Sequence, residues 1–153
     1  MEQSREVRPL TADDVVAWTE MVGNAYPVMD LHTPEAREAQ TERTSKRLGA
    51  PTTRLYGLFE GDTLLGGMRL HDFQMTCFET PLLVGGVGMV AVDLTRKKEH
   101  VARDLISFYL RHYRERGAPL AILYPFRPDF YGAMGFGYGP KMNSYRVAPE
   151  ALP

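Results

Sequence analysis

Three consecutive cations, Arg96, Lys97 and Lys98, stand between an apolar run ending near residue 93 and a stretch whose apolar positions Val101, Leu105, Phe108 and His112 recur at helical spacing. The helix is expected to begin near residue 98, with the triplet capping it. Cations at a helix start are opposed by the macrodipole, by about 0.3 to 1 kcal/mol each. A bound anion removes the conflict, because free N–H groups at a helix start, backed by lysines, form a phosphate site. Other chemistry-bearing residues are sparse. His32, His71, His100 and His112 are scattered, so no metal is expected, and no Ser-His-acid set is legible. Cys77, the one cysteine, excludes an internal disulfide and lies in an apolar run, where a buried structural thiol is expected. A nucleotide-phosphate site of the Gly-x-x-x-x-Gly-Lys-Ser/Thr kind is absent.

The elements that must position the triplet follow from periodicity. Residues 6–10 read as a short edge strand, and Thr11, with Asp13 and Asp14 behind it, starts a helix running to about Tyr26. Its stripe is Val15, Trp18, Met21, Val22 and Ala25, and Pro27 ends it. A second helix starts at Thr33-Pro34 and is nearly all polar, so it is solvated or rims a site. Residues 53–60 and 64–78 form a hairpin about Gly61-Asp62, and residues 82–93 return as a third antiparallel strand. Gly85, Gly86 and Gly88 within that strand mark either a bulge or a close approach by a backbone or ligand. The helix after the triplet ends at Gly117, and residues 118–124 form a buried strand, making a right-handed crossover between parallel strands. Ligands of such units sit beyond the carboxyl ends of the strands, here Val92 and Tyr124. A short helix between Asp129 and Gly135 precedes a last strand at 141–147.

With 153 residues, 44% of them hydrophobic and 24% charged, the chain fits one domain spanning 1–153. Its formal charge of −1 gives no reason to expect nucleic acid or an anionic membrane as partner. The first residues lack an apolar signal region and no run approaches a membrane span, so a cytoplasmic location is expected.

This order of elements, an α/β fold (an α+β mixed sheet), resembles that of the GNAT acetyltransferases, in which antiparallel strands lead into a strand-helix-strand crossover with a splayed cofactor cleft. Val90, Ala91 and Val92 resemble the strand whose backbone pairs with the pantetheine arm of acetyl-CoA. Lys97, Lys98, Glu99, His100, Val101 and Ala102 occupy the place of the pyrophosphate loop. The block from Tyr124 to Gly139, with Phe126 and Tyr131-Gly-Ala-Met-Gly-Phe136, is similar to the N-terminal domain of the enhanced-intracellular-survival acetyltransferases. His100 stands where the superfamily usually has glycine; as a helical residue it would keep its N–H available with its side chain turned away. Reduced affinity for CoA is expected.

The resemblance implies acetyl transfer from acetyl-CoA to a primary amine by direct attack. Backbone N–H along 90–92 would hold the carbonyl oxygen, and Tyr131 would be the acid toward the departing sulfur. The acceptor is expected to be a small polyamine, an aminoglycoside-like molecule or a lysine side chain. Tyr26 and Asp30 would attract such a polycation, or else are ordinary surface. In the family resembled, the base is a carboxylate at the end of a much longer chain, beyond a second acetyltransferase-like domain and a sterol-carrier-like domain. The terminal Pro-Glu-Ala-Leu-Pro153 has linker character, so the expectation is an N-terminal piece of such a chain, a homo-oligomer when whole. This piece would bind acetyl-CoA and turn over weakly. The alternative is a degenerate module that binds CoA or a protein partner without turnover.

Overall fold

Continuous runs of buried residues in the central strands, covered on both faces, set up a mixed sheet of five strands, in the order β1 (Arg5–Pro9), β2 (Thr53–Glu60), β3 (Thr63–Cys77), β4 (Thr80–Val92) and β5 (Leu120–Leu123). The computed structural model describes residues 4–96, 98–140, 143–148 and 150. Neighbours from β1 to β4 are antiparallel, and β4 and β5 are parallel, as the crossover requires.

Two apolar layers cover the sheet. The helix α1 (Val15–Ala25) places Trp18, Met21 and Val22 on one face, against Leu55, Phe59, Leu64 and Ala91. Its start is fixed by Asp14, whose carboxylate accepts from the Thr11 N–H at 2.7 Å and pairs with Arg8 at 2.8 Å. The helix α3 (Val101–Glu115) covers the other face with Val101, Leu105, Ile106, Tyr109 and Tyr113. Side chains of β3 therefore divide by parity: Met68, Leu70 and Asp72 face α3, whereas Arg69 and His71 face the α1 side. The polar helix α2 (Pro34–Arg47) buries only Thr44 and is solvated over most of its surface; its Thr33 cap accepts from the Ala36 N–H at 3.2 Å. Gly117, at φ 76°, ends α3, and the Ala118 N–H returns to the Tyr113 carbonyl at 2.9 Å.

Four expectations change. The helix starts at Val101 rather than near residue 98, because the backbone at Lys98 and His100 is left-handed. β5 is an edge strand rather than a buried one: Leu120 and Ile122 point away from α3 and are 44% and 45% exposed. Residues 143–148 form no strand. They follow Gly137, Gly139 and Pro140 and bury nothing, with Tyr145 83% exposed; residues 141 and 142, where that strand was expected to begin, lie outside the described residues. Cys77 is half-buried, because β3 has by then run past the core.

Candidate functional site

β4 and β5 part company. Their pairing runs from Val84–Leu120 to Val87–Leu123, so residues 88–92 of β4 continue without β5 beside them. The Tyr109 hydroxyl, 2.8 Å from the Gly85 carbonyl and 3.1 Å from that of Ile122, shares its proton between the two strands just before they separate. On its other edge β4 bulges. Gly67 pairs with Ala91 and Arg69 with Gly88, so Met89 and Val90 together oppose Met68. Met89 takes a left-handed φ of 49° to do so. Of the three glycines, Gly88 flanks this bulge, whereas Gly85 and Gly86 lie in the stretch paired with β5, where the rings of Tyr113 and Phe73 take the space of a side chain. Val90 and Val92 are half-buried on the α3 side, and Ala91 is buried on the α1 side. The Tyr26 hydroxyl donates to the Val90 carbonyl at 3.1 Å, which brings this residue of the α1 terminus to the site.

The loop into α3 begins at Asp93, whose Oδ1 accepts from the N–H and hydroxyl of Thr95, each at 2.8 Å. Lys98 at φ 74° and His100 at φ 61° are both left-handed, a conformation that costs an L-residue about 1–2 kcal/mol. His100 is therefore the residue before the helix and not its first turn; its carbonyl accepts the Asp104 N–H at 3.0 Å. The glycine-like geometry persists where the glycine does not. Glu99 ties the loop to the sheet: its carboxylate meets Arg5 at 2.7 Å and its carbonyl accepts from Arg5 at 2.9 Å. Of the three cations, Arg96 lies 3.6 Å from Glu99 and 3.8 Å from Glu60, Lys98 is exposed, and Lys97 lies outside the described residues. Val101 is anchored in the core, and Ala102 behind it is half-buried.

Tyr131 projects from α4 (Pro128–Gly132) into the apolar layer on the α3 side and is 6% exposed. Phe126, Phe130 and Phe136 meet its ring edge-on, at centroid distances of 6.5, 5.2 and 5.9 Å. Phe126 is otherwise largely exposed. Among the described residues the Tyr131 hydroxyl has no hydrogen-bond partner. Burial raises its pKa above the ordinary phenol value, and the nearby Tyr26 adds to the rise.

Two residues that sequence reasoning passed over complete the geometry. Arg69 donates through Nε to His71 Nε2 at 3.0 Å, which leaves the imidazole proton on Nδ1, 3.3 Å from the Thr53 hydroxyl. Burial, with Arg69 beside it, lowers the His71 pKa. The available signal was Arg69 and His71 at alternate positions of β3, which puts both on one face of the sheet. Asp30 is exposed, with no ion pair among the described residues, and is not brought to this group. No cluster of metal-ligating side chains occurs among the described residues, and no helix there is long and apolar enough to cross a membrane.

A mixed sheet whose fourth strand bulges and then separates from a parallel fifth, with a helix start beside the gap, defines an acyltransferase-like α/β domain. The chain belongs to the acetyltransferase (GNAT) domain family, which matches residues 6–139. An uncharacterized N-acetyltransferase of Streptomyces avermitilis is 27% identical over 135 residues; the match covers 88% of this chain and 31% of that protein. The chain thus spans about a third of the length of this curated relative. The fold is shared by a protein described as a transcriptional regulator from Bacillus halodurans, at TM-score 0.81 and 14% identity, covering 94% of this chain and 100% of that one. A predicted acetyltransferase of Clostridium acetobutylicum, solved with acetyl-CoA, has TM-score 0.72 and 11% identity, with 94% and 96% covered.

Proposed function

We propose that this chain is an acetyl-CoA-dependent N-acetyltransferase domain, with its cofactor site along residues 90–92 and 98–102 and with Phe126 and Tyr131 at its wall. The observation that carries this reading is the open edge of β4: a bulged strand beside a gap offers backbone groups to a second amide-bearing chain, which is what the pantetheine arm is. The residues present fit such a ligand. Lys98 and the N–H groups at the α3 start suit a pyrophosphate, and the charge of Glu99 is already met by Arg5. The acetyl-CoA bound by the Clostridium relative supports the same assignment.

When bound, the thioester supplies the activated acetyl group. Backbone N–H along 90–92 would receive the carbonyl oxygen as it gains charge. Tyr131 holds its proton at neutral pH, since burial raises its pKa. A thiol of pKa about 8.5 is a stronger acid than this phenol, so the phenol stabilises a departing thiolate mainly by donating a hydrogen bond. The acceptor is a primary amine of a small molecule or a lysine side chain, with Tyr26 at the rim of its path. Asp30 would act there only as a solvated charge.

The second reading, a module that binds CoA or a protein partner without turnover, is favoured by His100, whose left-handed backbone is the one a glycine would hold without strain. One assay separates them: titrate acetyl-CoA calorimetrically, then measure thiol release with amines. Saturable binding with thiol release, lowered about 100-fold in kcat by Tyr131→Phe, supports the enzyme. Binding without release from any amine supports the module.

A further inference from the structure

Among the half-buried cations of the described residues, all but one meet a carboxylate of the chain. Arg5, Arg8, Arg54 and Arg116 each meet a carboxylate. Arg69 is more enclosed than an ordinary surface arginine, yet among the described residues no carboxylate reaches it. Its Nε–H is used by the neutral His71 imidazole, and the Nη groups have no partner there. The charge it does feel is one of its own sign, the Arg47 cation at the end of α2. Burial first, and Arg47 second, lower its hold on its proton. An ion withdrawn from water without a counter-ion is costly, so a missing anion is indicated.

The surroundings provide room and position for one. Arg69 stands in register with Gly88 on β4, one residue before the bulge. A methyl group at Gly88 would approach only His71 Nε2, at 3.9 Å, so the sheet is open above these two side chains. His71, fixed through Thr53, orients the guanidinium by its Nε edge and leaves both Nη groups directed elsewhere. A planar guanidinium presented in this way suits a carboxylate or phosphate, which accepts two parallel bonds. Tyr26 links this place to the reacting strand, since its hydroxyl donates to the Val90 carbonyl and feels the charge of Arg69.

Resting on the acetyl-transfer reading, we infer that the acceptor amine also carries an acidic group, a carboxylate or a phosphate monoester, received by the Nη groups of Arg69 on the α1 side of the sheet. Arg47 adds positive field at the approach. Arg69 is then a specificity residue for the acceptor, and its face of the sheet is the opposite one from α3, whose start serves the cofactor.

The test uses paired amines on protein saturated with acetyl-CoA: phosphoethanolamine with ethanolamine, β-alanine with propylamine, and spermidine as the cationic comparison. Binding is followed by the His71 imidazole resonance and turnover by thiol release. In at least one pair the acid-bearing amine should shift His71 saturably, with an affinity or kcat/KM about ten-fold or more above its neutral partner. Which pair responds separates phosphate from carboxylate. Arg69→Gln should reduce the preference to about two-fold or less, and Arg69→Lys should keep part of it. Absence of a saturable His71 shift with both acid-bearing amines overturns the inference, as does preference for the neutral amines or spermidine, or a preference that survives Arg69→Gln. Acetyl-CoA titration of the unmodified chain is the separate arm: failure there overturns the acetyl-transfer reading itself.

Discussion

Asp72 and Arg69, three positions apart on β3, face opposite sides of the sheet and treat charge in opposite ways. The Asp72 carboxylate receives Arg116 at 2.6 and 2.8 Å, the Tyr113 hydroxyl at 2.8 Å and Arg54 at 3.2 Å. These partners, Arg116 first, hold it well below the usual carboxylate range, and Arg116 is raised in turn. Nothing is left over for a ligand, and the network fastens the C-terminal end of α3 to the sheet. Arg69 has the reverse pattern: burial lowers its pKa, and among the described residues its one hydrogen-bond partner is an uncharged imidazole. A charge completed by its own chain belongs to the fold, whereas a charge enclosed and left incomplete belongs to what the fold binds.

The largest expected effect lies in the completed network. Asp72→Ala leaves two arginines and a phenol facing each other and should cost about 2–4 kcal/mol in urea unfolding, whereas Arg69→Gln should cost less than about 1 kcal/mol. Equal losses at the two positions would erase the distinction. Next come the adjacent glycines of β4. A methyl group at Gly85 would lie 2.3 Å from the ring of fully buried Tyr113, and at Gly86 2.3 Å from the ring of half-exposed Phe73. Gly85→Ala should cost about 1–3 kcal/mol and Gly86→Ala clearly less, since the Phe73 ring can turn outward. Thermal unfolding of the pair checks this.

Acid sensitivity follows the same division. The folded pKa of Asp72 is depressed, and that of Asp14 is lowered to about 2, by Arg8 first. Their contribution is fully present above the unfolded carboxylate pKa near 4 and is lost as pH falls from about 5 toward 2. Unfolding followed across that window should steepen with acid in the parent chain and flatten in Asp72→Ala. The smallest effect concerns the loop. His100→Gly should stabilise by about 1 kcal/mol or less by removing a left-handed imidazole residue, and should tighten acetyl-CoA binding measured by calorimetry. Weaker binding would mean that the His100 side chain itself meets the cofactor.

Much of the frame was legible because it rests on local rules. Period-two alternation and Gly61-Asp62 gave β2 and the hairpin, and Gly117 gave the end of α3, since each is decided by residues close in sequence. The bulge of β4 was foreshadowed by Gly88, although only pairing with β3 places it at Met89, while Gly85 and Gly86 make room for the rings of Tyr113 and Phe73. His100 and Lys98 could not be read as left-handed from their types, because that loop is held in part by the tie of Glu99 to Arg5, far away in sequence. β5 looked buried because its composition is apolar, but α3 covers only the face with Ala121 and Leu123, and among the described residues Leu120 and Ile122 on the other face stay exposed. Arg69 escaped notice for a similar reason. Its alternation with His71 shows a shared face, but not until the fold forms is it clear which carboxylates fail to reach it.

The most direct test of the whole account is a crystal structure of this chain with acetyl-CoA. The account predicts pyrophosphate oxygens on the N–H groups of residues 98–102, the pantetheine amides along residues 88–92 of β4, and the thioester between Tyr131 and Tyr26. A cofactor bound elsewhere, or a β4 edge closed by β5 through Val92, would contradict it.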